Sequence, residues 1–265
     1  MGRWGNQVER EQLATLERPR ALGSRHYPTP HDKFVDTVEN SFSAVGYKLD
    51  NWKFNLSSDS GKLMTTFSIE SGDNRFRNDA WHLVGAAINT ANSTMSARLL
   101  WGDEVFICSN LQFNAEFMIT RKSTRDGLQD FKHMIWDNAE KIPEVYNSIV
   151  DTNNLLCQHD LSSESQVHDM MCRMAKKDIT TWQSIPHVLE HWEKPEHDEF
   201  KGRNAQVFLN AFTSSWRGTN PFSLHNKSKC VRSFLVDEAK YTLDAQYATE
   251  EEVQDDYDHA TSDWS

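Results

Sequence analysis

At 265 residues the chain is long enough to bury a sizeable core, as one large domain or two small ones. Hydrophobic residues make up 38% and aromatics 11%, with nine Trp and fourteen Phe, which excludes a disordered chain. The net charge is −11, and the longest apolar runs, 81–88 and 105–108, are too short to cross a bilayer.

The first 30 residues are polar. Met1-Gly2-Arg3-Trp4 leads into the charged stretch 8–20 with no apolar core of a signal peptide, and Asn6 stands where a myristoylation signal wants Ser or Thr. Pro28 and Pro30 close the stretch, which reads as an arm carrying one short helix. From His31 the period becomes helical, with Phe34, Val35, Val38, Phe42 and Val45 on one stripe and Gly46 as the stop.

The middle third changes period. After the turn Asp59-Ser60-Gly61, Leu63, Thr65, Phe67 and Ile69 alternate with polar positions. Residues 81–88 form a continuous apolar run, as expected of a strand buried on both faces. Residues 97–101 and 105–108 flank Gly102-Asp103, a hairpin signal, and Phe113, Ala115, Phe117 and Ile119 alternate again. Four to six strands, mostly antiparallel, are expected.

After Thr124 the helical period returns. Leu128, Phe131 and Ile135 mark one helix, and Ile142, Val145 and Ile149 its continuation beyond Pro143. Ser163 with Gln166 fits a capping box opening the helix of Val167, Met170, Met171 and Met174. Pro186 opens another helix that Pro195 must close, and Val207, Phe208, Ala211 and Phe212 stripe a last one before Gly218. The expected fold is therefore α+β. One helix precedes a central, mostly antiparallel sheet over about residues 48–120, and a helical C-terminal half follows it. Residues 1–30 form the arm, 31–236 a single domain, and 237–265 a flexible acidic tail.

Motifs that carry chemistry are few. His187-Val188-Leu189-Glu190-His191 fits H-x-x-E-H, the inverted zinc-peptidase signature, in which both imidazoles would ligate zinc and Glu190 would act as base. No third ligand stands out beyond Glu193, Glu196 and His197, so a zinc hydrolase is the weakest alternative, and a solvated helix surface explains the same pattern. No phosphate-binding loop or nucleophile elbow occurs, and no cofactor or metal is expected. The polar loop Asn89-Thr90-Ala91-Asn92-Ser93-Thr94 could offer amides and hydroxyls to a ligand, or could simply connect two strands. Cys108, Cys157, Cys172 and Cys230 are scattered, as in proteins of a reducing compartment.

Charge layout is the most informative feature. Residues 200–236 contain no Asp or Glu but six cations: Lys201, Arg203, Arg217, Lys227, Lys229 and Arg232. Residues 237–265 then hold ten acids against Lys240, a net −9, so the rest of the chain carries only −2. Arg121, Lys122 and Arg125 form a second basic group, with Arg98 nearby in sequence. A basic, aromatic-bearing surface beside an acidic tail suits a single-stranded DNA or RNA binder whose tail competes for the groove. The same layout also describes a solvated surface with a solubilising tail, or a tail that docks a protein partner.

Several stretches taken together resemble the phage- and plasmid-associated family known as domain of unknown function 932. They are Trp81-His82-Leu83-Val84-Gly85, then Trp101-Gly102-Asp103-Glu104-Val105-Phe106-Ile107-Cys108-Ser109-Asn110-Leu111-Gln112-Phe113, and Thr120-Arg121-Lys122-Ser123-Thr124. The similarity continues in 185–192, 195–200 and 208–218, and covers about residues 28–230. Where the family loop carries an Asn-Ser-His-Asp-like run, 89–94 has neither the His nor the acid. The resemblance implies a mobile-element setting in a bacterial or phage-infected cytoplasm and no assigned activity. The expectation is thus a non-enzymatic nucleic-acid-binding protein, or an accessory protein engaging a phage or host partner through its tail.

Overall fold

The computed structural model describes residues 6–71, 81–92, 94–105, 110–196, 198, 201–216 and 226–244, except for the side chains of 81 and 103–117. The fold is α+β, with one antiparallel sheet and a helical C-terminal half. By compactness the chain divides into two units, Met1–Val150 with Trp216–Lys229, and Asp151–Ser215 with Cys230–Ser265. The stretch 31–236, expected as one domain, is shared between them. Among the described residues no helix is long and apolar enough to cross a membrane.

The first unit holds a six-stranded meander in the order β1-β2-β3-β4-β5-β6. The strands are β1 (Asn6–Val8), β2 (Tyr47–Leu56), β3 (Lys62–Ser71), β4 (Trp81–Thr90), β5 (Ala97–Val105) and β6 (Asn110–Arg121). Strand β1 belongs to the N-terminal arm and pairs Asn6 with Leu56, a short edge strand that no periodicity announces. Strand β4 is buried on both faces, with Leu83, Val84, Ala86, Ala87 and Ile88 all 2% exposed or less. The Gly102-Asp103 hairpin is corrected: both residues lie inside β5, where Gly102 faces Val84 on one side and Phe113 on the other. The β5–β6 register shifts between Leu100 and Gly102, so the Gly serves a bulge rather than a turn.

Helix α1 (Arg10–Ala14) lies in the arm and α2 (His31–Ala44) follows it. Helix α2 lays Phe34, Val38 and Phe42 on the sheet face that carries Leu49, Phe67, Ile69, Leu83, Ala87, Leu99, Trp101 and Ile119. Helix α3 (Gly127–Ala139) and the start of α4 (Ile142–Gln158) complete this core with Phe131, Ile135, Ile142 and Ile149. Each such side chain gains about 1.5–3 kcal/mol by leaving water. Gly85 faces Phe67 across one strand pair and Trp101 across the other. A Cβ built on Gly85 would stand 2.2 Å from a ring carbon of Phe67, so the ring occupies the space that a side chain would need.

The second unit is helical. It contains the end of α4, α5 (Glu164–Lys176), α6 (Ile185–Glu193), α7 (Ala205–Ser215) and most of α8, helical over 226–244. Pro186 opens α6 as expected, and Trp192 of α6 meets Phe208 of α7 edge to face. Three expectations differ. Helices α3 and α4 are separate, because the chain turns at Glu140 and Lys141 before Pro143, which lacks an N–H, enters the first turn of α4. Ser163 is the N-cap of α5 but its hydroxyl bonds Ser165 instead of closing a capping box. Helix α8 follows α7, which was expected to be last, and runs through position 237. Of the expected tail, residues 237–244 are helical and 245–265 lie outside the described residues.

Gly85→Ala should lower the stability of the protein by about 1–3 kcal/mol, the usual cost of forcing a methyl into a packed core. A denaturant titration of the two proteins measures this. An unchanged midpoint would show that Phe67 moves aside freely.

Candidate functional site

An antiparallel meander sends alternate connections to opposite ends of its sheet. The β2–β3 turn, the β4–β5 connection and the residues after β6 therefore share one end. Helix α2 runs back over the sheet from the start of β2, so its N-terminus lies at this end too. The arm crosses here, docked by the Tyr27 amide on the Ser123 carbonyl at 3.0 Å.

The elements are locked together by a buried polar cluster. His31 Nε2 stands 3.0 Å from the Ser60 carbonyl and its Nδ1 stands 2.9 Å from the Asn89 amide nitrogen. The Ser60 carbonyl can only accept, so Nε2 carries the proton and Nδ1 accepts from Asn89. The Asn89 amide donates also to the Thr29 carbonyl at 2.8 Å. Asn89 is 1% exposed, and burial pushes the His31 imidazole below its ordinary pKa, against the opposing pull of the Ser60 carbonyl and Asp32. With both nitrogens engaged, His31 has no lone pair for general-base work. It ties α2, the β2–β3 turn and the end of β4 together.

The turn itself is close-fitted. Ser60 adopts φ +54, and a Cβ on Gly61 would meet the Asn92 amide at 2.6 Å, while the Ala91 amide bonds the Gly61 carbonyl at 2.8 Å. The loop 89–94 thus spends Asn89 and Thr90 on structure, the latter by a 2.5 Å bond to the Met95 carbonyl. Asn92 lines a cavity. Ser93 lies outside the described residues.

Among the described residues, three cavities adjoin the arm. One of about 970 Å³ lies between residues 13–22, the start of α2, the β2–β3 turn and Asn92. A second, about 730 Å³, is lined by residues 22–26, 94–96 and 122–124, and a third, about 550 Å³, by Tyr27, Lys33, Thr124 and Arg125 among others. Several charges here are already paired: Arg20 with Glu17, Lys33 with Asp36, Arg10 with Asp36 and Glu39, and Arg121 with Asp130. Of the Lys and Arg side chains that line these cavities, four have no ion pair among the described residues: Arg18, Arg25, Lys122 and Arg125. No acid lines the second cavity, and the one acid of the third is Asp36. Tyr27, 47% exposed, lines the third cavity together with Arg125.

The ten cations singled out from sequence meet different fates. Lys122 and Arg125 join this end, with Arg121 beside them in its ion pair. Arg98 sits in β5 between Ile88 and Thr120, on the sheet face away from α2. Lys227 and Lys229 stand in α8, Lys227 lying 5.9 Å from the Trp216 ring. In the second unit Lys201 pairs with Asp198, and Arg203 stacks on Trp192 and donates to its carbonyl. Arg232, 8% exposed, donates to Asn153 at 2.6 Å and presents no face to a ligand. Arg217 lies outside the described residues. Arg18 and Arg25 escaped the sequence reading because the arm looks merely polar; their only signal was proximity to Pro28 and Pro30, which turn the arm toward the sheet.

His187 and Glu190 are exposed on α6, whose Val188 and Trp192 face inward. Among the described residues no group of three His, Cys, Asp or Glu is placed to hold a metal ion. His197 lies outside them.

Because folded His31 stays neutral while the unfolded chain takes up a proton, its contribution is present above pH 6.5 and is lost as pH falls below it. Stability should therefore decline on acidification, by at most about 1.4 kcal/mol per pH unit from this group. His159 in the second unit, also held below its ordinary value by burial, adds to the decline. Denaturation of the protein and of His31→Gln across pH 5–8 isolates the His31 part, which should vanish in the variant.

No protein-family model, no curated protein and no solved structure matches this chain.

Proposed function

We propose that the arm end of the first unit binds single-stranded nucleic acid without catalysing a reaction on it. The observation that carries this reading is that Arg25, Lys122 and Arg125, none in an ion pair among the described residues, line cavities at the sheet end that also carries the half-exposed Tyr27. Arg25, Lys122 and Arg125 suit successive phosphates, and Tyr27 offers a ring face to a base. Stacking of this kind needs an unpaired base, which a duplex does not present. The resemblance to domain of unknown function 932 supplies a setting, the nucleic acid of a phage or plasmid in a bacterial cytoplasm. Residues 245–265 contribute seven acids and no Lys or Arg, and as a polyanion they compete with the ligand for the same cations. A protein partner held by this acidic segment is the second reading, favoured by its charge; retention of a protein and no nucleic acid on purification distinguishes it.

Fluorescence anisotropy with a labelled oligo(dT) tests the proposal. Affinity should fall steeply with salt, and the combined Arg25→Glu, Lys122→Glu and Arg125→Glu variant should weaken binding and flatten the salt slope by about 2, three contacts at roughly 0.7 each. Tyr27→Ala should cost about 1–3 kcal/mol of binding. Removal of residues 245–265 should tighten it. No binding at low salt by either the full or the shortened chain would overturn the reading.

A further inference from the structure

The geometry points to the cavity of about 970 Å³ as a pocket for one nucleotide whose base bears an exocyclic amino group, an assignment that rests on the nucleic-acid reading above. Its volume lies in the range of small-ligand sites. Leu16 and Pro19 give it apolar wall, Arg18 a cation, and Asp32, Asp59 and Asn92 polar groups.

These groups divide into two chemistries. Arg20 and Lys33 also line the cavity, but Glu17 and Asp36 neutralise them, which leaves Arg18 as the charge available to a single phosphate. The two carboxylates can only accept hydrogen bonds. Asp59 uses Oδ1 on the Ser57 hydroxyl and the Gly61 amide, which hold it below the usual carboxylate range and therefore ionised. Among the described residues its Oδ2 meets the Asn92 amide, at 3.5 Å, and the charge of Lys62 also bears on the carboxylate. Asp32 has no ion pair among the described residues. An edge that meets two acceptors must donate. Cytosine and adenine do so through their amino groups, and guanine through its own, whereas thymine presents carbonyl oxygens beside a single N–H. A phosphate on the Arg18 side and an amino-bearing base on the Asp32 and Asp59 side satisfy both chemistries at once. The His31–Asn89–Ser60 latch holds the turn and the start of α2 before a ligand arrives, so little ordering cost attends binding.

Titration calorimetry of the full chain with dCMP, dAMP, dGMP, dTMP and inorganic phosphate, beside the oligo(dT) anisotropy assay, tests the assignment. The three amino-bearing nucleotides should bind about tenfold or more tighter than dTMP, in keeping with the discrimination of a matched base edge. Arg18→Ala should weaken all four, and Asp32→Asn should level the preference while the far-ultraviolet circular dichroism stays unchanged. Asp59→Asn is the poorer probe because Asp59 also holds its turn. Equal affinity for dTMP, or inorganic phosphate competing as well as dCMP, would overturn the amino-base pocket. So would absence of mononucleotide binding while oligo(dT) still binds, which leaves the surface reading intact. Loss of oligo(dT) binding as well overturns both.

Discussion

The first unit is organised by the fit of the Phe67 ring over Gly85. A glycine in a central strand forgoes a side chain to pack, and here the vacancy is filled by an aromatic from the neighbouring strand. The ring then meets Phe42 of α2 at 6.0 Å between centroids, and Phe42 meets Trp101 at 6.2 Å, both edge to face. Helix α2 is thereby seated across β3, β4 and β5 by one aromatic cluster. Because its far end is fixed by Phe42, its near end delivers Phe34 onto Phe131 of α3 and His31 onto the β2–β3 turn.

Position then becomes chemistry. A histidine at the first residue of a helix would ordinarily titrate in water. Carried into the gap between a turn and the end of a buried strand, it exchanges water for the Ser60 carbonyl and the Asn89 amide, and only the neutral ring satisfies both. The latch closes one wall of the cavity of about 970 Å³ and holds the Asp59 and Asn92 loops against each other. Above it the last part of the arm is held by Tyr27 to Ser123 and Asn89 to Thr29, while β1 and Arg10 fasten its beginning to β2 and α2. A rigid floor beneath a strip of polar chain is a fitting arrangement for ligand binding, since loops on a fixed scaffold carry function at little cost to the core.

In the second unit, cations serve the fold. Arg173 grips Glu238 of α8 through two bonds of 2.7 Å and also pairs with Asp169, while the Phe234 ring lies beneath both Arg173 and Lys177. Arg232 is buried on Asn153, and Arg203 covers Trp192. Charge counted along a chain cannot distinguish such residues from ones that wait for a ligand. The stretch 200–236 has no acids of its own, yet Lys201 finds Asp198, Arg203 the carbonyl and ring of Trp192, and Arg232 the Asn153 amide oxygen.

Much of the architecture was legible in sequence because periodicity reports burial directly. Phe34, Val38 and Phe42 announced α2, Leu63 to Ile69 the alternating β3, and the unbroken run 81–88 the doubly buried β4. Local signals with two uses were misread: Gly102-Asp103 suits a turn or a bulge, and the pairing of β5 with both β4 and β6 selected the bulge. Of the site, Lys122 and Arg125 were visible as a basic group, and Asn89–Asn92 as a polar loop. That Arg18, Arg25 and Tyr27 join them, that His31 is a buried latch, and that Arg232 is spent inside the fold were decided by tertiary structure alone. Hydrophobic pattern is written residue by residue, but whether a charge faces solvent, an ion partner or a cavity depends on segments brought together from distant parts of the chain.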